Sequence, residues 1–233
     1  FAVQRLGEPM LTALVLIGPK AAGKTIVTQL VGYLFGQHTF VTSRMEDATG
    51  RFNDRLETTL LLGLEEAVAP HDRAADGTLK DLITRPMLRL EGKFFGVWDA
   101  PNHLPIIVTS NNELVVRADG LERRYAVFDV VNPYQADPDA RRRYFGEMVE
   151  QMETGGYAAM LGELLNRDIS GWNPESIPET EALRRQKELN LVNDPVRSYL
   201  FERLTEGINI TTGEPAQAAP IHTWSHDEAA TVP

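Results

Sequence analysis

The stretch Gly18-Pro-Lys-Ala-Ala-Gly23-Lys24-Thr25 constrains this chain more than any other. It fits the pattern G-x-x-x-x-G-K-[ST] at every fixed position. Residues 11–17, Leu-Thr-Ala-Leu-Val-Leu-Ile, read as a buried strand before it, and residues 25–35 read as a helix after it. A glycine loop joining a strand to a helix turns its backbone N–H groups toward an anion. The helix N-terminus adds partial positive charge to the same spot. On this reading Gly18, Pro19, Lys20, Ala21, Ala22, Gly23, Lys24, Thr25 and Ile26 cradle the phosphates of a nucleoside triphosphate. Lys24 reaches the outer phosphates, and the Thr25 hydroxyl ligates Mg²⁺. The motif does not say what the energy is used for.

A chain of 233 residues with 42% hydrophobic content can bury a full core as one large domain, or as one domain with a small appendage. It has no cysteine, which excludes disulfides and cysteine-ligated zinc and suits a reducing cytoplasm. No apolar run approaches a membrane span and no signal peptide is visible, so no membrane partner is expected. Phe1 stands where a start methionine would, so the chain reads as a fragment or a processed piece. The formal charge of −10 has the wrong sign for an extended nucleic-acid face. Any DNA contact should therefore be small, local and repeated by oligomerisation.

The fold class expected is α/β, with a mainly parallel central sheet flanked by helices and a small helical subdomain after it. Strands are expected at 39–42, 60–64, 104–110 and 125–130, in addition to the first. A polar helix is expected over 50–58 and a short one over 78–84. A hairpin over 87–93 and 97–98 would turn at Phe94-Phe95-Gly96. The core is expected over 1–133 and the helical subdomain over 134–206, with helices at 139–153, 157–165, 179–191 and 195–205. Thr180 or a neighbour offers a helix start. Residues 207–233, rich in Thr, Ala, Pro and Gly, read as a linker or disordered tail.

Three further features carry chemistry. Glu65-Glu66 ends a hydrophobic strand, where one carboxylate can hold Mg²⁺ and the next can orient the water that attacks the γ-phosphate. Taken alone, the pair is as well read as a solvated strand end. Behind a phosphate loop the catalytic reading is preferred. Asn111 follows the strand Ile106-Ile-Val-Thr-Ser110 and can touch the γ-phosphate or that water, although an ordinary turn asparagine looks the same. Carboxyl ends of parallel strands converge on a ligand crevice, which ties these positions together. Arg123-Arg124 precedes the strand from Tyr125. It is equally a transition-state cation for a neighbouring subunit and a basic pair bound to Glu122.

Phosphate loop, acidic pair, hairpin, Thr-Ser-Asn strand and Arg-Arg-aromatic occur in this order within about a hundred residues. The segments GPKAAGKT, LLLGLEEA, LRLEGKFFGVWDAPNH, IIVTSNN and LERRYAVFDV resemble superfamily 3 helicases, and more narrowly the helicase part of phage and plasmid primase-helicases. SIPETEALRRQKELNLVNDPVRSYL is similar to the helical segment after that core, so the resemblance covers roughly residues 10 to 205. It implies an AAA+-like P-loop fold, a hexameric ring, ATP-driven movement along single-stranded DNA in phage or plasmid replication, and a primase domain elsewhere in the parent protein. It assigns Lys24 and Thr25 to phosphate and Mg²⁺, Glu65 to the metal, Glu66 to the attacking water and Asn111 to sensing. Arg124 becomes the trans-acting arginine finger, with Arg123 second. Glu65 stands where many ATPases have Asp. Lys93, beside Phe94 and Phe95, matches the DNA-contacting lysine of the pore hairpin, where cations and aromatics suit a single strand. Core packing explains Phe94, Phe95 and Trp98 equally well. An AAA+-type ATPase that remodels or loads a protein partner is the alternative function, and a DNA-binding scaffold with poor turnover is a third.

Overall fold

A computed structural model describes residues 1–68, 73–118 and 122–192, together with Val196 and Tyr199. Five strands form one sheet: β1 (Ala13–Ile17), β2 (Thr39–Thr42), β3 (Leu61–Glu65), β6 (Ile106–Ser110) and β7 (Tyr125–Asp129). Every pairing in it is parallel, and the order is β2-β3-β6-β1-β7. A parallel sheet is covered on both faces, which is why its inner strands read as unbroken apolar runs. Side chains alternate across it. Val15, Ile17, Leu62, Leu64, Ile106, Val108 and Val127 join one core cluster, and Leu16, Leu61 and Ile107 join another. Helix α1 (Lys24–Phe35) supplies Val31, Leu34 and Phe35 to the smaller cluster. Helix α3 (Arg73–Thr84) supplies Leu79, Leu82 and Ile83 to the larger.

A second, two-stranded sheet is the antiparallel hairpin of β4 (Met87–Gly92) and β5 (Gly96–Pro101). Leu88, Leu90 and Ala100 anchor it in the core. The segment before β3 grips its root. Asn53 donates from Nδ2 to the Arg89 carbonyl (3.2 Å) and accepts at Oδ1 from the Glu91 N–H (2.9 Å). Arg51 pairs with Glu91 at 2.8 Å, and the Trp98 indole N–H donates to Glu57 at 3.1 Å. That grip corrects one expectation. Residues 50–58 are not a helix: α2 occupies Glu46–Thr49 and a 3-10 turn occupies Asp54–Thr58. Phe52 sits at φ 62° between them, a left-handed backbone that no helix continues through, and Asn53 spends its amide on the hairpin. Helix α3 also starts earlier than the expected residue 78, at Arg73.

Helix α4 (Pro138–Gln151) is capped by Asp137, whose carboxylate accepts the N–H groups of Asp139 and Ala140 (3.1 and 2.9 Å), with Pro138 in the first turn. It ends in a distorted turn, Met152–Gly156, where Gly155 takes φ 116°. Helix α5 (Tyr157–Asn166) follows, and Tyr157 stacks on Tyr33 of α1 with ring centroids 3.7 Å apart. Helix α6 (Glu181–Val192) starts at the expected place: the Thr180 hydroxyl accepts the Leu183 N–H at 3.0 Å. Gln186 is fully buried. It accepts from the N–H groups of Val115 and Val116 and donates to the Glu113 carbonyl, so α6 fixes the segment after β6.

The chain divides into two compact units, Phe1–Lys187 and Glu188–Pro233. Helices α4 and α5 fall within the first of these units together with the sheet. The helix expected over 195–205 lies outside the described residues apart from Val196 and Tyr199, which are helical; the tail over 207–233 lies outside them entirely. Among the described residues no helix is long and apolar enough to cross a membrane.

Candidate active site at the strand ends

β1 ends at Ile17, and the chain passes between its neighbours before entering α1. Gly18 is held so tightly that an added Cβ would lie 2.1 Å from the Val130 carbonyl oxygen. Ala21 and Gly23 both take left-handed backbone (φ 61° and 96°), which turns successive N–H groups inward as an anion-binding nest. Gly23 is the N-cap of α1 and brings no side-chain acceptor, and the first turn carries no acidic residue. The free N–H groups of that turn are thus available to an anion.

Strand order then brings the other groups to this end of the sheet. β3 and β6 are neighbours, with β6 against β1, so Glu65, Asn111 and Gly18 leave three adjacent strand ends. A cavity of about 430 Å³ is lined there by Lys20, Ala21, Ala22, Gly23, Lys24, Thr25, Ile26, Glu65, Glu66, Thr109, Asn111, Arg141 and Phe145. Gly18 and Pro19 shape the loop without lining the cavity.

Lys24 is buried. Its Nζ donates to the carbonyls of Gly18 (2.7 Å) and Pro19 (2.9 Å) and to Asn111 Oδ1 (2.9 Å). Burial lowers its pKa, and the negative charge of Glu66 pulls partly the other way. Glu66 Oε2 accepts from the Ser110 hydroxyl (3.2 Å) and the Asn111 N–H (3.1 Å). Lysine, amide and carboxylate therefore form one connected set through Asn111. Glu66 itself sits at φ 54°, a strained left-handed backbone for a non-glycine residue, held by its N–H bond to the Thr109 carbonyl at 2.9 Å. Next to it, Glu65 Oε1 is buried with no hydrogen-bond partner. A buried carboxylate oxygen left without a donor suits a cation. Among the described residues no group of three or more His, Asp or Glu is placed to hold a metal unaided. One carboxylate, a threonine hydroxyl and substrate phosphates are the donor set Mg²⁺ favours.

The structure does not bring Arg123, Arg124 or Lys93 to this cavity. The Arg124 carbonyl accepts the Ala13 N–H at 2.8 Å, at the opposite end of β1, about 17 Å of strand away from Gly18. The two arginines also differ from each other. Arg124 donates to Glu122 Oε1 (3.3 Å), a fully buried carboxylate that also accepts both backbone N–H groups of the pair (3.0 and 2.8 Å). Lys80 of α3 lies 3.9 Å from the other Glu122 oxygen and 3.0 Å from Asp76. The Arg123 side chain is 66% exposed against 33% for Arg124, and its one ion pair among the described residues, to Glu175, is loose at 3.8 Å.

Lys93 stands at the hairpin turn. Phe94 and Phe95 beside it are 85% and 83% exposed, so core packing does not explain them. Trp98 is the one aromatic of the three that packs partly against the core. Lys93 Nζ lies 5.6 Å from the Phe94 ring centre. Arg141 and Phe145 were not legible as site residues. They lie one helical turn apart on α4, but an i, i+4 spacing does not reveal which neighbour a helix face meets.

A family model described as a family of unknown function, DUF5906, matches residues 16–124. That span runs from the end of β1 to the arginine pair. No curated protein matches the chain. Among solved structures the chain is similar to the apo structure of the NrS-1 C-terminal region, with a TM-score of 0.67 at 17% identity, covering 85% of this chain and 50% of that one. An A-form apo structure of the same region gives 0.67 at 17% identity over 87% and 50%. A further A-form structure gives 0.60 at 18% identity over 85% and 45%. The chain thus spans about half the length of the structures it matches. At this identity the likeness concerns the fold.

Proposed function

We propose that this chain is the ATP-hydrolysing core of a superfamily 3 type DNA helicase that works in phage or plasmid replication as a ring, on single-stranded DNA. The observation that carries the reading is the meeting of Lys24, Glu65, Glu66 and Asn111 with residues 20–25 of the glycine loop in one cavity. The loop N–H groups and Lys24 bind the phosphate chain, and Lys24 exchanges its present acceptors for phosphate oxygens. Glu66, oriented by Ser110 and Asn111, takes the proton of the attacking water as the bond from the γ-phosphorus to its bridging oxygen breaks and ADP leaves. Thr25 and Glu65 are the residues to hold a Mg²⁺ ion, which when bound neutralises charge on the β- and γ-phosphates.

The arginine pair acts across a subunit boundary, since it lies at the far end of its own sheet. Exposure and pairing favour Arg123 as the side chain that reaches a neighbour and Arg124 as the anchor that neutralises Glu122. Arg123→Ala should lower turnover about a thousand-fold with nucleotide binding intact. Mixing it with Glu66→Gln should restore part of the activity at hybrid interfaces. Arg124→Ala should instead cost stability, on the order of 2 kcal/mol, by uncovering a buried carboxylate. Thermal melting and mixed-variant hydrolysis separate the two, and a reversed pattern would return the finger to Arg124.

Two phenylalanines held in water forgo about 1.5–3 kcal/mol of burial each, a cost that a binding surface explains. Bases stacking on them would recover about 1–3 kcal/mol apiece, with Lys93 meeting a phosphate. Because the tip is more aromatic than basic, a protein-remodelling ATPase that grips polypeptide is the second reading. Hydrolysis with and without single-stranded DNA, run beside a mass measurement, tests the choice. DNA stimulation in a hexamer is the expected result. The Phe94→Ser, Phe95→Ser double variant should lose that stimulation and keep basal turnover. A DNA response equal to wild type removes the hairpin from DNA binding.

A further inference from the structure

The nucleotide cavity has a wall that the phosphate loop and strand ends do not supply. It comes from α4, through Arg141 and Phe145. We propose that Arg141 is a phosphate-binding residue of this site, acting on nucleotide bound to its own subunit, with Phe145 as the positioning residue that seats α4 on the loop. The inference rests on reading the cavity as a nucleoside triphosphate site.

Four observations carry it. First, Phe145 lies directly on the loop: a Cβ added at Gly23 would come within 2.6 Å of its ring. Glycine at that position thus serves both the φ of 96° and the approach of α4. Second, Arg141 is one turn before Phe145, so seating the ring brings the guanidinium to the same cavity. The Asp137 cap and Pro138 fix where that helix begins, and hence the angular position of both side chains. Third, Arg141 is half-buried, yet its side chain has no ion pair and no hydrogen bond among the described residues, whereas Arg142 beside it pairs with Asp139. A partly desolvated guanidinium with empty donors is suited to a bidentate oxyanion. Fourth, the charge of the cavity accords with it. Lys20 and Lys24 are cancelled by Glu65 and Glu66, and Arg141 makes the lining net positive toward a polyanion.

The test is the affinity of a fluorescent ATP analogue, with Mg²⁺, for the full chain and its variants. Wild type should bind. Arg141→Ala should weaken binding about ten-fold or more, and Arg141→Lys should recover part of the loss, since a point charge replaces the fork. Phe145→Ala should weaken binding while the unliganded melting temperature stays near wild type, and should reduce the melting shift that saturating analogue produces. If Arg141→Ala binds as wild type does, the role of Arg141 is overturned and the nucleotide site stands. If wild type binds no better than Lys24→Ala, the nucleotide reading fails and the inference falls with it. If Phe145→Ala alone weakens binding, α4 is a wall and not a ligand, which also overturns the proposal.

Discussion

Lys24→Ala is expected to abolish ATP hydrolysis, with turnover reduced at least about a hundred-fold and the fold retained. The ammonium is the most buried cation of the cavity, and its three acceptors are loop carbonyls and Asn111, all within 2.9 Å. Removing it takes away the group that would meet the outer phosphates. It also frees Asn111, through which the loop is linked to Glu66. Stability should change little, because burial already opposes the charge, as the lowered pKa records. Three lost hydrogen bonds and one relieved desolvation act in opposite directions. Steady-state hydrolysis and thermal melting on the same preparation check both halves. Wild-type turnover in Lys24→Ala would end the assignment of the loop.

Glu66→Gln should separate binding from chemistry. Glutamine keeps an acceptor oxygen for the Ser110 hydroxyl and the Asn111 N–H, so the local geometry can persist. It cannot take a proton from water. Turnover should fall about 10²- to 10⁴-fold, the contribution expected of a general base, with nucleotide affinity within about three-fold of wild type. Glu65→Gln is the informative companion. Its buried Oε1 lacks a donor, so loss of charge there should appear as a raised Mg²⁺ requirement. If the two variants exchange phenotypes, the acid roles are the reverse of those proposed. If neither lowers turnover, hydrolysis does not occur in this cavity.

Much of the sheet was legible because parallel strands buried on both faces leave a simple trace: Leu61-Leu-Gly-Leu and Ile106-Ile-Val are apolar without alternation. The strand ends could be aligned on one site because such strands all leave the sheet in one direction. The Gly50–Thr58 stretch failed as a helix because its polar pattern ignores a tertiary demand, the hairpin that Asn53 holds. Exposure of Phe94 and Phe95 was equally out of reach, since an apolar pair at a turn reads the same whether it enters a core or leaves it. Arg141 and Phe145 were hidden for a related reason: contact between α4 and the loop is set by packing far apart in sequence. The difference in exposure between Arg123 and Arg124 follows from one neighbour, Glu122, whose burial could not be read from residue type.

The grip of residues 51–57 on the hairpin has a mechanical consequence. A hairpin tied only at its two chain ends would bend at its base under load. Here Arg51, Asn53 and Glu57 hold both strands from the side, through Glu91, Arg89 and Trp98. Those residues lie just upstream of β3, the strand that ends in Glu65. A pull on the tip is therefore borne by the root of that strand and not absorbed in a loose turn. The hairpin is built as a lever braced from the side by the turn that leads into β3.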